Sequence, residues 1–343
     1  MKTDEKLYQS VKMQICRRIY DGTYQDGEPI PPERTLCEDL GVSRVTLRRS
    51  LQMLQDEHLI ERVQGSGTRI AMSYGAHAGD MDVITLVAPA QNPFFSKFID
   101  VFQTKADEAG SLVLYKQKQP HTSLDDCLFR IYNRDLRNIV LWLEDTRLEE
   151  EGLRKLRGLG MNFVLFDTAR ASAYADSVCM DNELAIRSLY EGLRARGCRK
   201  IGYVGWDTQE VGNIRIREAC CRELAGGEET PVCRVPWTYH NHLELMEREE
   251  MMACLKPAAG CDGLLYGVGD FALPFEALLR EQGIAHTAAM VDRVAGAERF
   301  GIDLVAEQDF AAVTDRIFEC LQRQNDERSG WAPAVYRIPP ISS

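Results

Sequence analysis

The chain has 343 residues, 45% of them hydrophobic, which is enough for several buried cores and points to two or three domains. A formal net charge of −11 argues against a surface that attracts nucleic acid everywhere. No stretch reaches the roughly 18 uninterrupted apolar residues of a membrane span, so no membrane partner is expected.

The chain opens on MKTDEKLYQS, which holds no apolar export signal. Its 11 cysteines are odd in number and scattered, with no C-x-x-C pair. Together these features suit the reducing cytoplasm, with thiols buried as small hydrophobes. Cys220 and Cys221 are adjacent within a helical stretch, where a bridge between them would be strained.

Leu7, Val11, Ile15 and Ile19 recur at four-residue spacing and predict the apolar face of a first helix. Asp21-Gly22 ends it, and Asp26-Gly27-Glu28-Pro29 reads as a turn. A second helix opens at Pro32, whose missing N–H costs nothing in a first turn. It runs through Leu36 to Leu40 and stops at Gly41, a residue suited to the left-handed cap. Ser43 caps a third helix in which Leu47, Leu51 and Leu54 make one apolar stripe. Val45, Thr46, Arg48 and Arg49 are expected to fall away from that stripe.

Two β-prone runs follow, Leu59 to Val63 and Thr68 to Ala71, joined by Gln64-Gly65-Ser66-Gly67. A capped, half-buried helix that presents arginines at its start, followed by a small basic-edged hairpin, is how a winged helix-turn-helix enters a major groove.

Charge by segment agrees with this. Residues 1–71 carry 11 Lys+Arg and 11 Asp+Glu, and the remainder carries 30 against 41. Arg44, Arg48, Arg49, Arg62 and Arg69 gather on the helix start and the wing, where they would supply salt-dependent phosphate affinity. The acidic remainder would repel DNA and confine contact to the small domain.

Residues 7–71 resemble the winged-helix domain of the GntR family of bacterial repressors. The matching runs are Ile19-Tyr-Asp-Gly22, Ile30-Pro-Pro-Glu-Arg34-Thr-Leu36, Leu40-Gly-Val-Ser-Arg44-Val-Thr46-Leu-Arg48 and Gly65-Ser-Gly67-Thr68. The chain departs from the family pattern at Gly27-Glu28, at Pro32 where Ser is usual, and at Ser50 where Ala is usual. The resemblance implies a homodimer on double-stranded operator DNA. Arg34, Ser43 and Thr46 would touch phosphates or base edges, while Arg44 and Arg48 would do most of the reading. Arg49 joins that surface, and Gly65 and Gly67 would let the wing backbone approach the groove.

Met72 to Met81 is small, polar and aperiodic and reads as a linker. From Asp82 onward short apolar runs alternate with amphipathic helices. Ten strands are expected, near residues 83–88, 112–115, 138–143, 163–166, 177–180, 201–204, 232–235, 263–266, 287–291 and 335–338. Alternating βα units imply parallel sheets with helices on both faces, and ten strands are too many for one compact sheet. Two lobes are therefore expected. The fold class is α/β, with a small α+β winged-helix domain over 1–71, a linker over 72–81 and a two-lobed domain over 82–343.

Residues 82–343 resemble the sensor domain of the LacI and periplasmic-sugar-binding family. The resemblance rests on Val83 to Ala88 with Asn92-Pro-Phe-Phe95, Val164-Leu-Phe-Asp167 and Val178-Cys-Met-Asp181-Asn182. It continues in Gly197-Cys-Arg-Lys-Ile-Gly-Tyr-Val-Gly205, Arg217-Glu-Ala-Cys-Cys221 and Asp262-Gly-Leu with Asp270-Phe-Ala272. After residue 284 only Val291-Asp292 hints at the family pattern. The likeness implies a periplasmic-binding-protein-like fold that takes a small-molecule effector, a carbohydrate foremost, between its lobes.

Such clefts lie outside the carboxyl ends of strands. By resemblance Arg217 and Asp270 are the polar candidates, the first offering a fork of donors and the second accepting from paired hydroxyls. Arg215 is the alternative if the helix register differs by two. Asn92, Phe94 and Phe95 follow the first strand and would line the cleft, although both phenylalanines also suit helix packing. Trp142, Trp206 and Trp237 sit at or just after strand ends, where an aromatic face suits a sugar ring or fills an interface.

Asp167 and Asp181 either bind ligand or cap the segments after them. His240-Asn-His242 lacks a further ligand at metal spacing and reads as a solvated loop, and Glu247 to Glu250 as a wet helix face. No phosphate-cradling glycine loop, nucleophile elbow or catalytic dyad is visible, so neither an enzyme nor a cofactor is expected. A purine or amino-acid effector on the same fold, or an enzyme carrying a DNA-binding head, are the competing readings.

Overall fold

The computed structural model describes residues 2–63, 67–72, 80–88, 93–117, 122–142, 149–208, 211–226, 230–239, 242–326 and 330–342, without the side chains of 2–6 and 93–95. The N-terminal head holds helices α1 (Lys2–Tyr20), α2 (Glu33–Leu40) and α3 (Arg44–Asp56) and the hairpin β1 (Ile60–Val63) and β2 (Gly67–Ile70). Pro32 lies one position earlier than its sequence suggests, as the cap before α2 rather than its first residue. Gly41 takes the left-handed cap at φ 65°. Ser43 caps α3, accepting from the Thr46 backbone N–H at 3.1 Å.

Val11, Ile15, Ile19, Leu36, Leu47, Leu51, Leu54 and Ile70 form the head's buried core. Leu7, expected on the same face of α1, is 44% exposed. Ser50 is fully buried; its hydroxyl donates to the carbonyls of Tyr8 (2.9 Å) and Thr46 (3.1 Å), tying α3 to α1. Residues 28–30 run beside β2, with Ile30 N donating to Thr68 O (2.9 Å) and Ile70 N to Glu28 O (3.0 Å).

Two six-stranded sheets follow. Lobe 1 is built on β3 (Val83–Ala88), β4 (Leu112–Gln117), β5 (Asn138–Trp142), β6 (Asn162–Phe166), β7 (Asp176–Met180) and β13 (Val335–Ile338). Lobe 2 is built on β8 (Ile201–Asp207), β9 (Val232–Pro236), β10 (Gly263–Tyr266), β11 (Thr287–Val291), β12 (Leu304–Glu307) and β14 (Ile341–Ser342). Their orders, β13-β7-β6-β5-β3-β4 and β14-β12-β11-β10-β8-β9, are the same topology twice. All pairs are parallel except β12 with β14. The fully buried patterns of β5, β6, β7 and β10 are those of central strands covered on both faces. The sequence predicts ten of these twelve strands. It misses β12 and β14, neighbouring pieces of four and two residues at one side of the lobe 2 sheet that are too short to show a period.

In lobe 1, α4 (Pro93–Glu108) and α11 (Phe310–Asn325) cover one face of the sheet, with Phe98, Phe102, Phe166, Ile317 and Leu321 in their shared core. The other face is covered by α5 (Leu124–Tyr132) and α6 (Glu150–Gly158). In lobe 2, α7 (Asn182–Ala195) and α8 (Gly212–Leu224) pack on one face, and α9 (Arg248–Leu255) and α10 (Ala272–Glu281) on the other. The chain crosses between lobes three times, from β7 to α7, from β12 to α11 and from β13 to β14. Three strands of backbone at one junction are a hinge on which the lobes can rotate without sliding apart.

Candidate nucleic-acid interface and interlobe cleft

On the head, α3 buries Thr46, Leu47, Ser50, Leu51 and Leu54 and turns Arg44, Val45, Arg48 and Arg49 to solvent. Thr46 is a correction to the sequence reading. It is 7% exposed, and its hydroxyl lies 2.9 Å from the Ser43 hydroxyl at the cap, so it shapes the helix start instead of reaching outward. The reason is that α3 is wedged between α1 and α2, which widens its buried arc beyond one stripe.

Arg34 is 81% exposed and donates to Glu38 at 3.1 Å; Arg48 is 64% exposed and donates to Glu33 at 2.9 Å. Exposed pairs of this kind are worth about 0–1 kcal/mol and yield readily to a phosphate or a guanine edge. Among the described residues Arg44, Arg49 and Arg62 make no ion pair, while Arg69 lies 3.5 Å from Glu61. A groove between the start of α2 and the wing is lined by Pro31, Pro32, Glu33, Arg62, Gly67 and Thr68. Gly67 has φ 89°, which a side chain would strain; Gly65 lies outside the described residues.

In the two-lobed domain, the carboxyl ends of the central strands face the lobe junction. Asp167, just after β6, and Asp292, just after β11, occupy equivalent places in the two lobes. Each has positive φ (57° and 62°) and each donates its N–H to the neighbouring strand at 2.9 Å, to Val178 and Ala306 respectively. Non-glycine residues held there mark strain that the surrounding structure maintains, often at binding sites.

A polar chain runs from Asp167 into lobe 2. The Asn213 amide on α8 donates to the Asp167 carbonyl (2.5 Å) and carboxylate (2.8 Å), bridging the lobes. Asn182, at the start of α7, donates to Asn213 at 3.2 Å and accepts from Arg217 at 2.6 Å. Arg217 also donates to the Gly267 carbonyl at 2.7 Å and is 6% exposed. Burial pushes the Asp292 carboxyl above its ordinary range and Asp270 adds to that; Arg217, the Gln308 N–H and Lys97 pull the other way. Lys97 of lobe 1 donates to the Arg293 carbonyl of lobe 2 at 3.2 Å, a second bond across the junction.

Of the cleft residues expected from sequence, Arg217 lies in this network and Asp270 lies near enough to act on Asp292. Trp237 is half-buried, its ring edge-on to Trp206 at 5.7 Å, and Trp206 meets Phe271 at 4.6 Å. Trp142 is buried against Phe166. Arg215 points to solvent. Asp181 caps α7 by accepting from Leu184 N at 3.0 Å. Asn92 and His240, and the side chains of Phe94 and Phe95, lie outside the described residues. Asn182, Asn213 and Lys97 are cleft residues that sequence reasoning missed. Among the described residues no group of His, Cys, Asp or Glu is arranged to hold a metal, all the cysteines are free thiols, and no helix is long and apolar enough to cross a membrane.

The fold and these two sites define a winged helix-turn-helix head joined to a two-lobed domain of periplasmic-binding-protein-like fold. Residues 7–70 match the family described as bacterial regulatory proteins, gntR family, and this segment is a GntR-type DNA-binding domain. It is 44% identical over 64 residues to the HTH-type transcriptional regulator SmoD of Agrobacterium fabrum, a match that takes in 19% of this chain and 27% of that protein. The chain thus spans under a third of the length of the curated relatives it matches.

The two-lobed domain carries the fold of a periplasmic binding protein/LacI transcriptional regulator from Alkaliphilus metalliredigens solved with D-xylulofuranose. The TM-score is 0.62 at 17% identity, covering 76% of this chain and 97% of that one. It is similarly like a LacI family transcriptional regulator from Enterococcus faecium with bound ribose, at a TM-score of 0.60 and 13% identity over 76% of this chain and 96% of that one.

Proposed function

We propose that the protein is a transcriptional regulator of the bacterial cytoplasm, a repressor, in which a dimer holds operator DNA through two heads. A small carbohydrate bound between the lobes controls that hold. The division into a head over 1–71, a linker over 72–81 and a sensor over 82–343 belongs to the same proposal. The observation that carries it is the pairing of an exposed, capped arginine helix with a polar network at the junction of two hinged lobes.

Arg44 and Arg48 read bases; Arg34, Arg49 and the Ser43 end of α3 engage phosphate; Gly65 and Gly67 let the wing approach. In the cleft, Arg217, Asp270, Asp292 and Asn213 supply donors and acceptors to ring hydroxyls, with Asn92, Phe94, Phe95 and Trp237 completing the walls. The sugars in the two solved structures above support a carbohydrate effector.

Two measurements test the reading. An operator is first selected from random duplexes with the full chain. Arg44→Ala and Arg48→Ala should then each lose about 1–3 kcal/mol of affinity in gel shifts; unchanged binding would remove the reading role. A thermal-shift screen of the full chain against pentoses, hexoses, uronic acids, nucleosides and amino acids should give its largest rise with a sugar. A nucleoside or an amino acid as the sole hit would replace the sugar and leave the regulator.

A further inference from the structure

The head is joined to lobe 1 by more than the chain. Met72 N still donates to Asp26 of the head (2.9 Å), and the Asp80 carbonyl already accepts from Asn138 of lobe 1 (2.9 Å), so only residues 73–79 lie between them. A second connection bypasses that segment, where α1 lies against α5.

At its centre the Tyr132 hydroxyl donates to the Cys16 sulfur at 3.1 Å, with both residues buried. The Tyr20 and Phe129 rings are 4.9 Å apart, and the Arg17 guanidinium lies 4.8 Å over Phe129. Charged groups rim this centre. Lys12, 1% exposed, pairs with Glu57 just past the end of α3 and lies 4.0 Å from Asp135. Arg17 lies 3.8 Å from Asp126, and Arg137 pairs with Asp135 (2.7 Å) while stacking on Tyr132 (4.2 Å). One apolar cluster runs without a break from Val11, Ile15 and Leu47 in the head to Leu128, Tyr132 and Leu156 in lobe 1. An apolar centre inside a charged rim is the anatomy of a specific protein interface.

We propose that the α5 face of lobe 1 is a docking surface for α1, so that head and lobe 1 move as one body and lobe 1 sets the direction of α3. The arginines Arg34, Arg44, Arg48, Arg49 and Arg62 take no part in the seam, so a docked head keeps its reading face open. Two bonds carry the seam's position into α3, Ser50 to Tyr8 and Lys12 to Glu57. Lobe closure then changes the placing of lobe 2 against a fixed head and lobe 1. Only this last consequence rests on the regulator reading.

Cys16 is the reporter, since its thiol is covered from the lobe 1 side by Tyr132 and burial pushes its pKa up to about 11. Alkylation of the full chain with N-ethylmaleimide, mapped by peptide mass spectrometry, needs neither DNA nor effector. It therefore succeeds or fails independently of the proposed function. Wild-type Cys16 should react about a hundredfold more slowly than in the urea-unfolded chain. Asp126→Arg sets a like charge against Arg17 at an exposed site, and Phe129→Glu puts a charge into the seam. The double variant should label Cys16 about tenfold faster than wild type and enlarge the maximum dimension in small-angle X-ray scattering, with the circular dichroism of the head retained. Wild-type Cys16 labelling as fast as the unfolded thiol would overturn the docking. So would a folded double variant with unchanged protection and unchanged dimension.

Discussion

Asp292 shows how one side chain can serve a site at a cost to the fold. Its carboxyl is held above the ordinary aspartate range by burial, so the folded state disfavours the charged form. A folded value above the unfolded one gives a contribution that is complete below the unfolded value and lost as pH rises through the folded one. Above the ordinary aspartate range the buried carboxyl therefore weighs against folding. Asp292→Asn keeps an oxygen for the Gln308 N–H, 3.3 Å away, and removes the charge. Calorimetry should show a higher melting temperature for the variant at pH 7, and the gap should close as pH falls to the ordinary aspartate range. A lower melting temperature at pH 7 would mean that Arg217 outweighs burial.

Residues such as this one also mark the limit of what the sequence discloses. Arg217 came only from the resemblance carried by Arg217-Glu-Ala-Cys-Cys221, with Arg215 as its alternative, and the structure places it in the junction network. Asn182 and Asn213 were not, because they are ordinary amides 31 positions apart that matter only once α7 and α8 pack side by side. Thr46 was misplaced because a single-stripe reading of α3 cannot know that two helices will flank it.

At the scale of elements, the head was legible almost throughout because its signals are local ones: caps, a left-handed glycine and a short-range apolar period. The Ser43 cap should accordingly be separable from the rest. Ser43→Ala removes the acceptor for Thr46 N and the hydroxyl partner of Thr46. It should cost about 0.5–2 kcal/mol of stability in denaturant titration of the full chain's circular dichroism. A change below the measurement error would show that neighbouring helices alone hold the start of α3.

The loop after β10 depends on a feature no period reveals. At Gly269 a Cβ would collide with the Asp292 carbonyl, and because that neighbour is backbone, no rotamer change relieves it. Gly269→Ala should destabilise lobe 2 by about 1–3 kcal/mol, the usual range for overpacking. It should also displace Asp292 at the lobe junction, which would show as lost response to any effector that the thermal screen finds. Full stability and full response in Gly269→Ala would mean that the loop has room the structure does not show.

For the whole molecule, two lobes with parallel sheets were expected, but neither the matching strand orders nor the interlocking of the lobes was. β12 was invisible to pattern reading, and without it the return of α11 to lobe 1 and of β14 to lobe 2 cannot be foreseen. Those returns have a thermodynamic consequence. Lobe 1 lacks β13 and α11 until the chain has passed through lobe 2, and lobe 2 takes β14 from the last residues after β13. Neither lobe is a contiguous piece of chain, so the two-lobed domain should unfold as one cooperative unit.

The tryptophans provide the probes. Trp142 and Trp331 lie in lobe 1, the second beside Arg157 and bonded to Asp176 at 2.8 Å, while Trp206 and Trp237 lie in lobe 2. Replacing one pair at a time by Phe leaves fluorescence that reports on a single lobe. The midpoint of that fluorescence should coincide with the far-ultraviolet transition of the same variant, for either pair, within the error of the titration. An effector at 100 times its Kd should raise the stability reported by both probes by about 2.7 kcal/mol together, because it stabilises one folded unit. Separate midpoints, or a rise seen from one lobe alone, would mean that the crossings do not couple the lobes and that closure reaches lobe 1 by another route.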